Sequence, residues 1–120
     1  METILDQARN LGTLVSSREE LEEAGFRKGK KVLAIISSSC FYCGALMDDW
    51  DQDDIRIRRY LSNKNIGLLF LEKWSSLELS KELGDGSYPN VHCYKDGKQI
   101  SGKFVELYSE PFLGWLEEHF

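Results

Sequence analysis

Two apolar runs constrain the fold more than any other feature of the chain. Val32-Leu33-Ala34-Ile35-Ile36 and Leu68-Leu69-Phe70-Leu71 are continuous rather than alternating. Runs of that kind fit central strands covered on both faces. They predict buried strands over Lys31 to Ser37 and over Ile66 to Leu71. Between them, Ala45, Leu46 and Met47 favour a helix that starts near Cys40 and reaches Trp50. A second helix turns Ile55, Tyr60 and Leu61 toward the core and ends at Ser62-Asn63-Lys64-Asn65. Two buried strands joined by a helical crossover require a sheet with helices on both faces.

The flanking segments complete this plan. Ile4, Leu5, Ala8 and Leu11 stand at helical spacing within Thr3 to Leu14, which predicts an amphipathic helix. Gly12 and Ser16-Ser17 break the pattern, and Ser17 with Glu20 is a capping-box signature for a second helix through Leu21 and Ala24. That helix ends near Gly25 to Gly29, where Arg27, Lys28, Lys30 and Lys31 read as a solvated basic connector. Of the acidic run Asp48, Asp49, Asp51, Asp53 and Asp54, Asp51 or Asp53 is expected to cap the helix that follows. Leu77 to Leu83 supports a short helix stopped by Gly84-Asp85-Gly86. Val91 to Tyr94 reads as a strand, Asp96-Gly97 as a hairpin turn and Gln99 to Phe104 as the partner strand. Ser109 and Pro111 open a last helix that sends Phe112, Trp115, Leu116 and Phe120 to the core. The expectation is an α/β chain with a central mixed four-stranded sheet flanked by helices and an extra N-terminal helix. No repeat, low-complexity tract or linker divides it, so residues 1–120 are expected to form a single domain with residues 1–16 as a helical extension.

Fifteen basic against twenty acidic residues give a formal net charge of −5, which argues against a nucleic-acid partner or an anionic membrane surface. No apolar run approaches the length of a membrane helix. Residues 1–10 contain Glu2, Asp6 and Arg9 and lack the pattern of a secretory signal. The expected compartment is the cytoplasm.

Three cysteines, Cys40, Cys43 and Cys93, are an odd number. Two of them form Cys40-Phe41-Tyr42-Cys43, where the first strand should give way to a helix. A secreted disulfide framework uses an even, dispersed set, so the count favours redox or metal chemistry in a reducing compartment. The spacing alone is compatible with a redox pair, with a zinc or iron–sulfur site, or with two thiols used as core filler. A tetrahedral metal shell would recruit Cys93 or His92. Strand alternation sends those two to opposite faces, and Cys93 lies roughly 13 Å along an extended strand from Pro89. Cys93 is therefore expected to be buried filler. His92 and His119 are the only histidines, and neither is placed next to Cys40.

The strand ending at Cys40-Phe41-Tyr42-Cys43, together with Tyr88-Pro89 and Asp96-Gly97, resembles the thioredoxin superfamily from about Glu19 to the C-terminus. A nearer likeness is to a bacterial thioredoxin-like branch whose Cys-x-x-Cys helix breaks at acidic residues before a second helix and an Asn-rich turn. The resemblance implies that Pro89 is cis and lies beside the cysteine pair. A cis Pro89 would present the backbone at Tyr88 for strand-like pairing with a substrate. Phe41, Tyr42 and Tyr88 give the surface around it an aromatic character that fits substrate contact and simple surface packing equally. The chain departs from the common pattern at three places. Ser39 replaces a Trp, Phe-Tyr replaces Gly-Pro between the cysteines, and Ala34 stands where thioredoxins keep a buried Asp. Slower proton transfer at Cys43 is the expected consequence.

The chemistry of disulfide exchange needs a thiolate at an accessible sulfur. A helix N-terminus favours an anion, which marks Cys40 as the expected nucleophile. Cys43, one turn inside, is the expected resolving thiol, displacing the product from a mixed disulfide on Cys40. The expected activity is thiol-disulfide oxidoreduction on protein or small-molecule disulfides, with a separate electron donor and with no cofactor and no metal. The alternative from another class is a thioredoxin-fold binding or adaptor domain whose cysteines are vestigial.

Overall fold

The computed structural model describes residues 3–120. Met1 and Glu2, part of the expected N-terminal extension, lie outside the described residues. In chain order the elements are α1 (Ile4–Leu11), β1 (Thr13–Val15), α2 (Arg18–Glu23), β2 (Lys30–Ile36), α3 (Phe41–Gln52) and α4 (Asp54–Lys64). They continue with β3 (Ile66–Glu72), α5 (Leu77–Leu83), β4 (Asn90–Lys95), β5 (Lys98–Gln99) and α6 (Ser109–His119).

The two apolar runs are β2 and β3, paired in parallel with Val32 beside Leu68 and Ile36 beside Glu72. Period-two alternation divides their side chains between two layers. Val32, Ala34, Ile36, Leu68 and Phe70 pack with α1, α3, α4 and α6. Leu33, Ile35, Leu69 and Leu71 pack with Leu21, Phe26 and Leu79 on the α2 and α5 side. Burial on both faces is why neither run shows a polar alternate.

The sheet has five strands rather than four, in the order β1-β3-β2-β4-β5. The expected N-terminal helix stops at Leu11, and Thr13–Val15 turns to pair in parallel with Leu69–Leu71. Gly12 makes this turn possible, because a Cβ there would run into the Leu68 carbonyl oxygen. A three-residue strand is too short to display a period, which is why helical spacing claimed those residues.

At the opposite edge, β4 runs antiparallel to β2. The hairpin turns at Asp96 and Gly97, whose φ values of 51° and 82° are the left-handed pair that a two-residue turn of this hand requires. The expected partner strand, Gln99 to Phe104, is only Lys98–Gln99. Beyond it the backbone stays tethered irregularly: Ile100 N–H donates to the Cys93 carbonyl and Phe104 N–H to the Val91 carbonyl. The Ser101 hydroxyl accepts from Cys93 N–H, where a regular ladder would have used a carbonyl.

Caps follow the sequence with small offsets. The Ser17 side chain accepts from Glu20 N–H, but the Glu20 carboxylate turns to Ser16 N–H and Oγ, one residue earlier than a closed box. Thr3 and Asp6 form a complete box on α1. Asn65, at φ 56°, ends α4.

Asp53 is the N-cap residue of α4, yet its side chain makes no capping bond. The acidic run serves as acceptors for α1 and α6 instead. Gln7 donates to Asp48 at 2.7 Å, and Asn10 to Asp51 and Asp54 at 2.9 and 2.8 Å. Ser109 N–H and Oγ donate to Asp49 and Asp53 at 2.7 and 2.8 Å. Five carboxylates at one helix break are thereby each given a donor.

Candidate functional site

The cysteine pair lies where β2 ends and α3 begins. Ile36 is the last residue of β2, and Ser37 to Ser39 turn the chain so that Cys40 becomes the N-cap of α3. Cys40 has an extended backbone (φ −100°, ψ 123°), and its N–H donates to the Ser37 carbonyl at 3.1 Å. No side chain caps α3. The first helical amides therefore face the Cys40 end without a side-chain acceptor, in the electrostatic setting that favours an anion. Cys40 is half-buried, and its thiol donates to the Tyr88 carbonyl at 3.4 Å.

Cys43, one turn along, is fully buried and packs with Ala34, Ile36 and Leu46. Its sulfur accepts from Ser37 N–H at 3.3 Å. Burial pushes its thiol from 9 up to about 12; the Ser37 amide pulls the other way, and neighbouring Cys40 and the Glu72 charge add to the rise. All three cysteines are free thiols.

Four more residues were expected at this site, Phe41, Tyr42, Tyr88 and Pro89, and all four lie around Cys40. Phe41 and Tyr42, the two residues between the cysteines, point outward, 82% and 61% exposed, with their rings edge-on at 5.7 Å. Their exposure follows from the helix period, which turns only Cys43 of that first turn inward. The Tyr88–Pro89 peptide bond is cis. Pro89 immediately precedes β4, so it sits across the sheet edge from the end of β2, with Asn90 beside Ile35. An open groove of about 300 Å³ starts at Tyr42, Tyr88 and Pro89 and continues along Phe104 to Leu107, where Val105 is 79% exposed.

Cys93 is not brought to this site. It is fully buried in the middle of β4, beside Val32. Burial pushes its thiol up to about 12 as well, with the Ser101 hydroxyl pulling down. His92 faces the other layer, beside Leu33, and its burial lowers its pKa. Among the described residues no three His, Cys, Asp or Glu side chains are gathered as metal ligands. His119 bonds the Trp115 carbonyl inside α6, away from Cys40.

One residue of the site was not anticipated. Glu72 closes β3 and is 4% exposed. Its carboxylate accepts from the Ser38 hydroxyl at 3.0 Å and from Trp74 N–H at 2.6 Å. It is thus tied to the residue next to Ser37, whose amide holds Cys43. In the sequence it is the first charge after an apolar run, a pattern that looks like a strand leaving the core. Only the β2–β3 register, Ile36 beside Glu72, reveals that this end of the strand is the site.

No protein-family model matches the chain, and no curated protein matches it in sequence. Solved structures do. The J-Trx1 fragment of ERdj5 superposes with a TM-score of 0.75 at 16% identity, over 97% of this chain and 54% of that one. This chain thus spans about half the length of that fragment. A mutant thioredoxin from Halobacterium salinarum gives 0.69 at 14% identity, over 92% and 91%. Thioredoxin f2, solved in complex with ferredoxin:thioredoxin reductase, gives 0.69 at 18%, over 91% and 94%. The fold is that of the thioredoxins, and a close cysteine pair at the β2–α3 junction accompanies it.

Proposed function

We propose that residues 1–120 act as one thioredoxin-like domain and as a thiol-disulfide oxidoreductase, with Cys40 as nucleophile and Cys43 as resolving thiol. The observation that supports this most is the asymmetry of the pair. One sulfur is partly open at an uncapped helix start, and the other is buried one turn below it with its acidity suppressed. Only the first suits attack on an external disulfide.

In the proposed cycle the Cys40 thiolate attacks one sulfur of a substrate disulfide. That bond breaks, half of the substrate leaves as a thiolate and takes a proton from solvent, and the other half is bonded to Cys40. Cys43 then loses its proton and attacks Cys40 Sγ, releasing the second half and forming the Cys40–Cys43 disulfide. The two electrons pass from the dithiol to the substrate, and a separate thiol donor restores the dithiol.

Forming the mixed disulfide consumes the Cys40 thiol, one of the groups that hold Cys43 up. Phe41, Tyr42, Tyr88 and Pro89 contact the substrate in this reading, and the adjoining groove accommodates the chain on either side of its disulfide. Substrates are protein or small-molecule disulfides, and the compartment is the cytoplasm, where an odd set of thiols stays reduced. No helix of the described residues is long and apolar enough to cross a membrane.

Reduction of insulin disulfides by the protein, with dithiothreitol as donor and Cys40→Ser and Cys43→Ser as controls, tests the assignment. Activity well above both variants is the expected result. Activity no higher than theirs would leave a thioredoxin-fold binding domain.

A further inference from the structure

At the end of the sheet from which the sulfur pair departs stands a cation that has no carboxylate partner among the described residues. Lys73 follows Glu72, and its backbone N–H donates to the Ile36 carbonyl at 2.7 Å, which fixes its place at the end of the sheet. Its ammonium lies 4.5 Å from the centroid of the Trp74 ring and 5.0 Å from that of Tyr88. Lys73 is half-buried, whereas Trp74 is 56% exposed.

Arg9, Arg18, Arg27, Arg56, Arg58 and Lys103 each face a carboxylate. Among the described residues no carboxylate is in ion-pair contact with Lys73. The two carboxylates that act on the neighbouring Tyr88, Glu72 and Asp85, are engaged elsewhere. Glu72 accepts from Ser38 and Trp74, and Asp85 from Ser87, Asn90 and Lys103.

The ring faces attract the ammonium through their quadrupoles, more strongly as it loses water. They do not use up its three N–H donors. The long side chain is already confined and partly dehydrated, so an incoming anion meets a prepared donor rather than a flexible, fully hydrated one. Tyr88 links this cation to the chemistry. Its ring faces Lys73, and its carbonyl accepts from the Cys40 thiol at 3.4 Å. One tyrosine therefore spans the gap between ammonium and sulfur.

We propose that Lys73, held between Trp74 and Tyr88, recognises a carboxylate lying a few bonds from the substrate's disulfide, so that the preferred substrates are acidic disulfides. The inference rests on the oxidoreductase reading above and adds the substrate class. In a single turnover the reduced protein gives both electrons. The substrate S–S bond is broken, two substrate thiols are formed, and Cys40 and Cys43 become a disulfide.

The test compares two small disulfides of similar length, 3,3′-dithiodipropionate with two carboxylates and cystamine with two ammonium groups. Each is mixed with the reduced protein, and protein oxidation is followed by acid quench and mass spectrometry. Dividing each rate by that of free dithiothreitol removes the intrinsic reactivity of the probe.

The wild-type protein is expected to favour dithiodipropionate by about five- to tenfold at low salt, and less at high salt. Lys73→Gln is expected to abolish the preference, and Lys73→Arg to keep most of it. Alkylation of Cys40 by neutral iodoacetamide in the Cys43→Ser background monitors the thiolate itself and is expected to stay within about twofold of its rate when Lys73 is replaced. A normalised preference that survives Lys73→Gln overturns the inference and leaves the oxidoreductase reading standing. So does a loss in alkylation rate equal to the loss with dithiodipropionate, since Lys73 would then act on the sulfur and not on the substrate. Equal normalised rates with the two probes, or failure of the wild-type protein to be oxidised by either, also overturns the inference, whereas the oxidoreductase reading falls only if insulin reduction fails as well.

Discussion

Cys43 and Cys93 make an instructive pair. Both are fully buried, both belong to the core layer between α3 and the sheet, and burial pushes both thiols up to about 12. Judged by burial and acidity alone they are the same residue. They differ in what stands next to them. Cys43 has a second sulfur one helical turn away, a Ser37 amide aimed at its own sulfur, and the Glu72 charge within electrostatic reach. Cys93 has strand neighbours and one serine hydroxyl. A suppressed thiol acquires a role from a reactive neighbour, and burial by itself gives it none.

The largest expected effect breaks the pair apart at the reaction. Cys40→Ser and Cys43→Ser should each lower insulin reduction by more than about a hundredfold, while Cys93→Ala should stay within about twofold. Mass spectrometry should separate the first two, since only Cys43→Ser accumulates a mixed disulfide on Cys40. A trapped adduct on Cys93 would contradict the division drawn here.

The next effect is on stability. Cys93→Ser places a hydroxyl in the apolar layer beside Val32, and should cost about 1–3 kcal/mol in denaturant unfolding. Cys93→Ala should show mainly the smaller loss from a cavity. A Cys93→Ser protein as stable as the wild type would mean that the site admits water.

A third measurement treats the two thiols alike. Each has a folded value above its unfolded one, so the unfolded chain releases its protons first as pH rises. Their contribution to stability is intact below about 9 and declines between about 9 and about 12. Tyr94, also raised by burial, falls in the same direction. Replacing either cysteine by Ala should flatten this alkaline slope by a similar amount, as read from unfolding midpoints across that range.

The smallest effect sharpens the difference. Glu72→Gln removes a charge that raises Cys43 but does not contribute to Cys93. It should lower the titration point of Cys43, followed by thiolate absorbance, and leave it well above 9 because desolvation dominates. An equal shift at Cys93 would refute this account of Glu72.

The uninterrupted runs Val32 to Ile36 and Leu68 to Leu71 made the middle of the sheet legible, because double-sided burial excludes polar alternates. The cysteine spacing marked the site for a similar reason, since a strand end followed by helix formers places Cys40 at a helix start. Thr13–Val15 was hidden, since three residues cannot show a period and their neighbours fit a helix. The early end of β5 was hidden because Ser101 and Gly102 look no different from turn residues within a longer hairpin. Glu72 and Lys73 were invisible for a deeper reason. Their importance depends on which residue of β2 they stand beside, and register is fixed by the assembled sheet and not by either strand alone.

The acceptors Asp48, Asp51 and Asp54, bonded to Gln7 and Asn10, also have a mechanical meaning. They brace the far end of the α3–α4 bend from outside, through a segment that shares no residue with the thiol site. The helix that bears both sulfurs is thereby clamped at the end opposite its chemistry.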